Sequence, residues 1–325
     1  MIASRIPSRV FLIRLGLIVA CISGLTMFLG CGKPTQLSQK RLTIATGSKS
    51  GVYYPVGEAM ARLIKEKFPD VQVEVLVTEG SSQNLTLLQE SKANLALVQN
   101  DIAHYALYGE NMYTNKRIAS LTGMATLFPE VVHVLARPEA GIHTMADLAG
   151  KKVAVGTEGS GTFFNAQQIF TQYKLWDSVQ KVLLPPAEGL TELDKGAVDA
   201  LVFSTGLKNS RIAELCAQKP LQFLGLDPDK IQNLVNEYPF YFPSEIPAEA
   251  YPGLAGGVPG IEMNSLLVVS GSLTDDDVYL LTKALFGSLE SFKAAHPALS
   301  GMTANSLRRQ MSIPLAPGAH TAFAE

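Results

Sequence analysis

Three short stretches carry residue types suited to holding an anion without a charged side chain. They are Thr46-Gly-Ser-Lys-Ser-Gly-Val-Tyr-Tyr-Pro-Val-Gly57, Thr78-Glu-Gly-Ser-Ser-Gln-Asn84 and Thr157-Glu-Gly-Ser-Gly-Thr162. Each follows a β-rich run and precedes a helical pattern, so each brings free helix-terminal N–H groups and small hydroxyls together. The candidates are Ser48, Ser50, Gly51 and Tyr53 in the first stretch, and Ser81, Ser82 and Asn84 in the second. From the third come Ser160, Gly161 and Thr162, with Asn165 one helical turn on from Thr162. Gln99 and Asn100 end an apolar strand at its carboxyl side, where open α/β sheets bind ligands. Asp101 beside them either pairs with a ligand ammonium or caps the next helix. Ser204 and Thr205 follow another strand and complete a far wall, and Phe128 and Phe164 are either walls or core.

Nothing in these loops points to catalysis. Gly47-Ser-Lys-Ser-Gly51 has lysine where a nucleophile elbow needs serine. Neither a His-Glu-x-x-His zinc motif nor a P-loop nor a dinucleotide fingerprint occurs. The five histidines have no ligand-like spacing, so no metal is expected, nor any cofactor. His133, flanked by valines, reads as a neutral structural histidine, and Arg137 as a surface ion-pair partner. The reading is a binder of a small acidic molecule, not an enzyme.

These loops need a frame, and the periodicity supplies one. Leu42–Thr46, Val71–Val77 and Leu95–Gln99 read as strands, and Val56–Phe68 and Asn84–Glu90 as helices. That β-α-β-α-β order predicts an α/β sheet with crossover helices. After a strand over Val131–Arg137 the pattern restarts. It reads as a short helix at Met145–Leu148, strands at Lys152–Gly156, Val182–Leu184, Ala200–Phe203 and Leu221–Leu226, and helices over 163–173, 190–195 and 212–217. Val77-Thr-Glu-Gly-Ser and Gly156-Thr-Glu-Gly-Ser match at four of five positions, which suits two similar lobes facing one cleft. Residues 238–262 read as an irregular excursion. Ser265–Val269 is a strand, and Thr274 with three aspartates caps a helix over 278–294.

The N-terminus reads as a leader. Arg5, Arg9 and Arg14 precede an apolar run, Leu15–Leu29, too short to span a bilayer comfortably. Gly30-Cys31 after it predicts a lipoprotein signal, with Cys31 lipidated and residues 31–40 forming a polar tether. Removing residues 1–30 takes three arginines and no acid, moving the formal charge from −2 to −5; that argues against a nucleic-acid partner. Cys216 alone remains in the body, so a mature chain forms no internal disulfide, and packing is its expected role.

The run from Thr46 to Gly57 resembles the opening signature of the TAXI family of TRAP-transporter solute-binding proteins. Gly80-Ser-Ser-Gln-Asn-Leu85, Ala93-Asn-Leu-Ala-Leu-Val-Gln-Asn-Asp101, Glu130-Val-Val-His-Val-Leu-Ala-Arg137, Asp147-Leu-Ala-Gly-Lys-Lys-Val-Ala-Val-Gly156, Gly159-Ser-Gly-Thr162 and the Tyr279–Pro297 helix follow in order. The resemblance implies a two-lobed α/β periplasmic-binding-protein fold of type II, with the ligand cleft between lobes. It implies lobe one at 41–135 plus 264–325, lobe two at 136–263, and a hinge near Val132–Arg137 and Ser265–Val269. It further implies a periplasmic receptor that hands a small anionic or zwitterionic solute to TRAP permease subunits, with the lipid anchor expected at Cys31 holding it to the membrane surface. The family's ligands include glutamate, glutamine, 2-oxoacids and dicarboxylates. The same fold also serves as a ligand-sensing accessory protein of a signalling system.

Overall fold

The computed structural model describes residues 33–325; the leader of residues 1–30 and Cys31 lie outside the described residues. Residues 36–325 form one compact unit. In chain order its elements are β1 (Arg41–Ala45), α1 (Tyr53–Lys67), β2 (Gln72–Leu76), α2 (Ser81–Gln89), β3 (Leu95–Gln99), α3 (Asn100–Tyr108) and β4 (Thr122–Ala136). There follow β5 (Lys152–Ala154), α4 (Gly161–Gln172), β6 (Gln180–Val182), α5 (Pro186–Lys195), β7 (Ala200–Thr205), α6 (Ser210–Gln218) and β8 (Gln222–Phe223). The chain ends with α7 (Pro228–Glu237), β9 (Phe242–Ile246), β10 (Val258–Val269), α8 (Asp275–Gly287), α9 (Leu289–Lys293) and α10 (Pro317–Ala324).

The main path of the sheet runs β2-β1-β3-β10-β4-β7-β5-β6, with β8 on β4 and β9 on β10. It has two parallel wings, β2-β1-β3 and β7-β5-β6. Two long strands antiparallel to their neighbours join them: β10 pairs β3 through 265–269, while β4 pairs β10 through 122–131 and β7 through 131–136. Parallel wings bury both faces, which explains the unbroken apolar run of β3. Its Leu95 and Leu97 enter the cluster with α1 and α8; Ala96 and Val98, pointing the other way, enter the cluster with α3 and α4. Helix α1 buries Val56, Met60, Leu63 and Ile64 on one stripe, as its spacing requires.

Several elements differ from the sequence reading. β4 begins at Thr122, well before Val131, because Gly123 and Pro129 hide a strand that is otherwise buried almost throughout. Pro129 pairs with Asn264, one pair before a register shift in the β4–β10 pairing. The stretch 238–262 is not irregular throughout: β9 and the start of β10 pair across it. α7 is an additional helix, with Ile231, Leu234 and Val235 on one side and Pro228 in the first turn, masked by its many polar residues. The helix expected over 278–294 starts at Asp275, capped by Thr274, and breaks at Gly287-Ser288 into α8 and α9. The polar-looking tail ends in α10, which packs on α8. Among the described residues no helix is long and apolar enough to cross a membrane.

Candidate functional site

Ligands of α/β sheets gather at the carboxyl ends of parallel strands, and this fold turns both sets of ends toward one place. A cavity of about 100 Å³ lies there. Its walls come from the segments after β1 (Gly47, Ser48, Gly51, Val52), β2 (Thr78, Glu79, Gly80) and β3 (Gln99), and from those before α4 (Ser160) and at β7 (Phe203 to Gly206). Phe128 and Glu130 of β4 form its floor, two residues apart and therefore on one face of the strand.

Four helices begin at this cavity. α1 and α2 start after Val52 and Gly80, neither with a side chain capping the first turn. Their amides and dipoles are therefore left for a ligand. α4 starts after Ser160, whose Oγ accepts from Phe163 N at 3.2 Å. α5 differs: Pro185 and Pro186 open it, so that wall is apolar and offers no N–H.

Of the two acids that line the cavity, Glu130 is the buried one, 3 % exposed. Its Oε1 accepts from Tyr53 OH at 2.5 Å and its Oε2 from Gln99 Nε2 at 3.0 Å. Burial pushes its carboxyl up to about 8; the Tyr53 and Gln99 bonds oppose that rise, and repulsion from Asp101 adds to it. Burial also raises the Tyr53 hydroxyl. Gln99, 4 % exposed, has no hydrogen-bond partner for its Oε1 among the described residues. That oxygen lies against Gly161, where a Cβ would overlap it and push the Gln99 amide aside.

Of the residues singled out in the sequence, Ser48, Gly51, Tyr53, Ser81, Gln99, Ser160, Gly161, Thr162 and Ser204 line the cavity, with Phe128 and Thr205. Five others do not. Ser50 pairs with Ser48 at 3.1 Å, and its carbonyl accepts from Asn209 at 3.3 Å. Ser82 donates to Gly159 O, linking the second loop to the third. Asn84 is wholly buried, donating to Thr46 O and Leu97 O and accepting from Thr78. Asn100 donates to Gln310 O and accepts from Ser312 N. Asn165 donates to Asp101 Oδ2 at 2.7 Å and Tyr241 OH at 2.8 Å, and accepts from Ser204 at 2.6 Å.

Asp101 lies behind the cavity and does not line it; burial pushes it up to about 7. Phe164 packs on Tyr105 and Phe163. Burial holds His133 down at about 4, with Nδ1 at 2.9 Å from Val131 O, and Arg137 pairs with Asp199 at 2.8 Å. Glu130 is the residue that sequence reasoning passed over. The signal was there: a lone acid inside a run that is otherwise apolar, Leu127-Phe-Pro-Glu-Val-Val132.

Residues 44–325, most of the chain, match the model of one family. The protein belongs to the NMT1-like family. Among solved structures this NMT1-like chain is similar to the alkanesulfonate-binding protein SsuA from Xanthomonas axonopodis pv. citri bound to MOPS. The identity is 17 %, over 90 % of this chain and 85 % of that one, with a TM-score of 0.51. A Bordetella bronchiseptica RB50 protein superposes with a TM-score of 0.54 at 15 % identity, covering 88 % and 83 % of the two chains. A mutant of ArgBP from T. maritima gives 0.50 at 12 %, covering 81 % and 96 %. At these identities the likeness establishes the fold: the NMT1-like chain has the α/β fold of periplasmic-binding-protein-like structures.

Proposed function

We propose that this NMT1-like protein is an extracytoplasmic solute receptor, not an enzyme, which captures a small organic acid or amino acid and delivers it to a membrane permease. The observation that carries this reading is the convergence of the α1, α2 and α4 N-termini on one cavity between the two parallel wings. Backbone N–H groups there, with Ser48, Ser81, Thr162 and Ser204, hold an acidic group by hydrogen bonds and helix dipoles. The wings act as two lobes, 41–135 plus 264–325 and 136–263, and β4 and β10 carry the hinge. Closure around the solute excludes water and completes a surface for the permease. The solute-binding descriptions of SsuA and ArgBP support this reading. The ordered motifs from Thr46 to Pro297 support the TAXI type of TRAP receptor, and Gly30-Cys31 supports a periplasmic lipoprotein.

A thermal-shift screen of the purified protein against amino acids, 2-oxo acids and dicarboxylates tests it. A ligand at a hundred times its dissociation constant adds about 2.7 kcal/mol of stability. A shift that Thr162→Ala reduces supports the reading; a folded, ligand-free protein that shifts with none of them overturns it.

A further inference from the structure

We infer that the solute is a 2-hydroxy acid, chosen over the 2-oxo acid and the amino acid of the same skeleton, and that Ser204 makes the choice. This rests on the receptor reading above and narrows its substrate class. The cavity wall is rich in hydrogen-bond donors. First-turn amides of α1, α2 and α4 open on it. Ser160 Oγ accepts from Phe163 N at 3.2 Å, Thr162 Oγ1 from Ser204 N at 3.3 Å, and Thr205 Oγ1 from Asn209 Nδ2 at 3.3 Å. Each of these hydroxyls has its oxygen engaged and its own proton left to give. Such a lining suits a carboxylate.

Ser204 is wired the other way. Its Oγ donates to Asn165 Oδ1 at 2.6 Å and, among the described residues, receives no hydrogen bond. Asn165 is held in that orientation: its Nδ2 gives to Asp101 Oδ2 at 2.7 Å and to Tyr241 OH at 2.8 Å, while Tyr241 gives its own proton to Gln168 Oε1. A reversed amide would set its oxygen against the Tyr241 oxygen. Ser204, on the wall and only 6 % exposed, therefore shows the solute lone pairs. Tyr53 and Thr78 on the wall also donate into the protein, but their oxygens already have a donor beside them, the Ser81 hydroxyl and Gly80 N. Ser204 Oγ neighbours Thr162 Oγ1, which its own amide holds, so the solute's donor sits next to its acid group. A hydroxyl on C2 meets that condition. A 2-oxo acid puts a carbonyl oxygen against Ser204 Oγ. An amino acid brings a donor but also a positive charge, which needs a counter-charge once out of water. None is at hand: both Glu130 oxygens already accept from Tyr53 and Gln99, Glu79 is exposed at the rim, and Asp101 lies beyond Asn165.

The test is isothermal titration calorimetry on the whole protein with matched trios: lactate, pyruvate and L-alanine; 2-hydroxy-3-methylbutanoate, 3-methyl-2-oxobutanoate and L-valine; 2-hydroxyglutarate, 2-oxoglutarate and L-glutamate, each hydroxy acid as both enantiomers. The expected result is one hydroxy acid binding at least about tenfold more tightly than its 2-oxo and amino partners. Ser204→Ala, checked for folding by circular dichroism, should close the gap between hydroxy and 2-oxo acid, and Ser204→Thr, which keeps the hydroxyl, should restore it. In the unaltered protein, equal or tighter binding of the 2-oxo or amino partner overturns this inference, needs no variant, and leaves the receptor reading standing. So does a gap that persists in folded Ser204→Ala. Absence of binding by every compound overturns both.

Discussion

Gly161→Ala is the sharpest test of how the two wings meet. Residue 161 opens α4 with an ordinary helical backbone, so helix propensity alone would favour alanine by up to about 1 kcal/mol. Here the added Cβ would overlap Gln99 Oε1 and Cδ. The Gln99 amide must swing away and give up its 3.0 Å bond to Glu130. A buried bond to a carboxyl contributes about 1–3 kcal/mol, so the net loss is about 1–2 kcal/mol. For a chain of this size that is a fall of roughly 2–6 °C in Tm. The solute-induced rise in Tm should shrink with it, because Gln99 lines the cavity. Gly256→Ala, where a Cβ meets nothing within 4 Å, is the control and should leave both readings in place. Differential scanning calorimetry with and without solute decides. An unchanged or higher Tm with an undiminished solute effect would refute the close-approach argument.

Asn165→Ala strips the buried Asp101 and Ser204 of their partner, and should cost about 2–4 kcal/mol in urea unfolding. Asp101 and Glu130, raised to about 7 and about 8, bind protons more tightly in the folded state than in the unfolded one. Their contribution is full below about pH 4 and is lost as pH rises to 8, at up to ~1.4 kcal/mol per unit and group. His133, held at about 4, acts oppositely, and its contribution is lost as pH falls from 6.5. Tm measured from pH 5 to 8 should therefore decline, and Asp101→Asn should flatten the decline below pH 7. The buried Cys216 thiol, pushed up to about 11, should react with a disulfide reagent at pH 8 at least about 100-fold more slowly in native than in urea-unfolded protein.

The α/β character and the three loops were legible because both depend on local pattern: alternating or continuous apolar runs, then glycine and serine before a helix. Which loop residues would face the cavity was only half legible. Ser81 and Ser82 are neighbours of the same type, yet one lines the cavity and the other bonds Gly159 O across to the third loop. Helix phase decides that, and the phase follows from α2 starting at Ser81, three residues before the expected start. Asn84 and Asn165 were chosen for their amides, which are spent on bracing the backbone and on Asp101. Glu130 was hidden for a different reason. Its environment is made by Tyr53 and Gln99, remote in sequence, and no local window shows that a strand acid will be left without a cation.

The place of β10 has a consequence for how the chain reaches this state. β3 is flanked by β1 on one side and by β10 on the other, Gln99 pairing with Ser265. Until the last quarter of the polypeptide has been made, β3 keeps an unpaired apolar edge, and β4 lacks its longest partner. A nascent chain therefore cannot finish its first wing early and move on to the second. Such non-local pairing folds slowly and leaves a strand edge open to other chains. Truncation before Val258 should give a sticky, incomplete sheet, not a stable half of the fold, and in the cell a factor that shields β-edges would have to accompany the chain until β10 arrives.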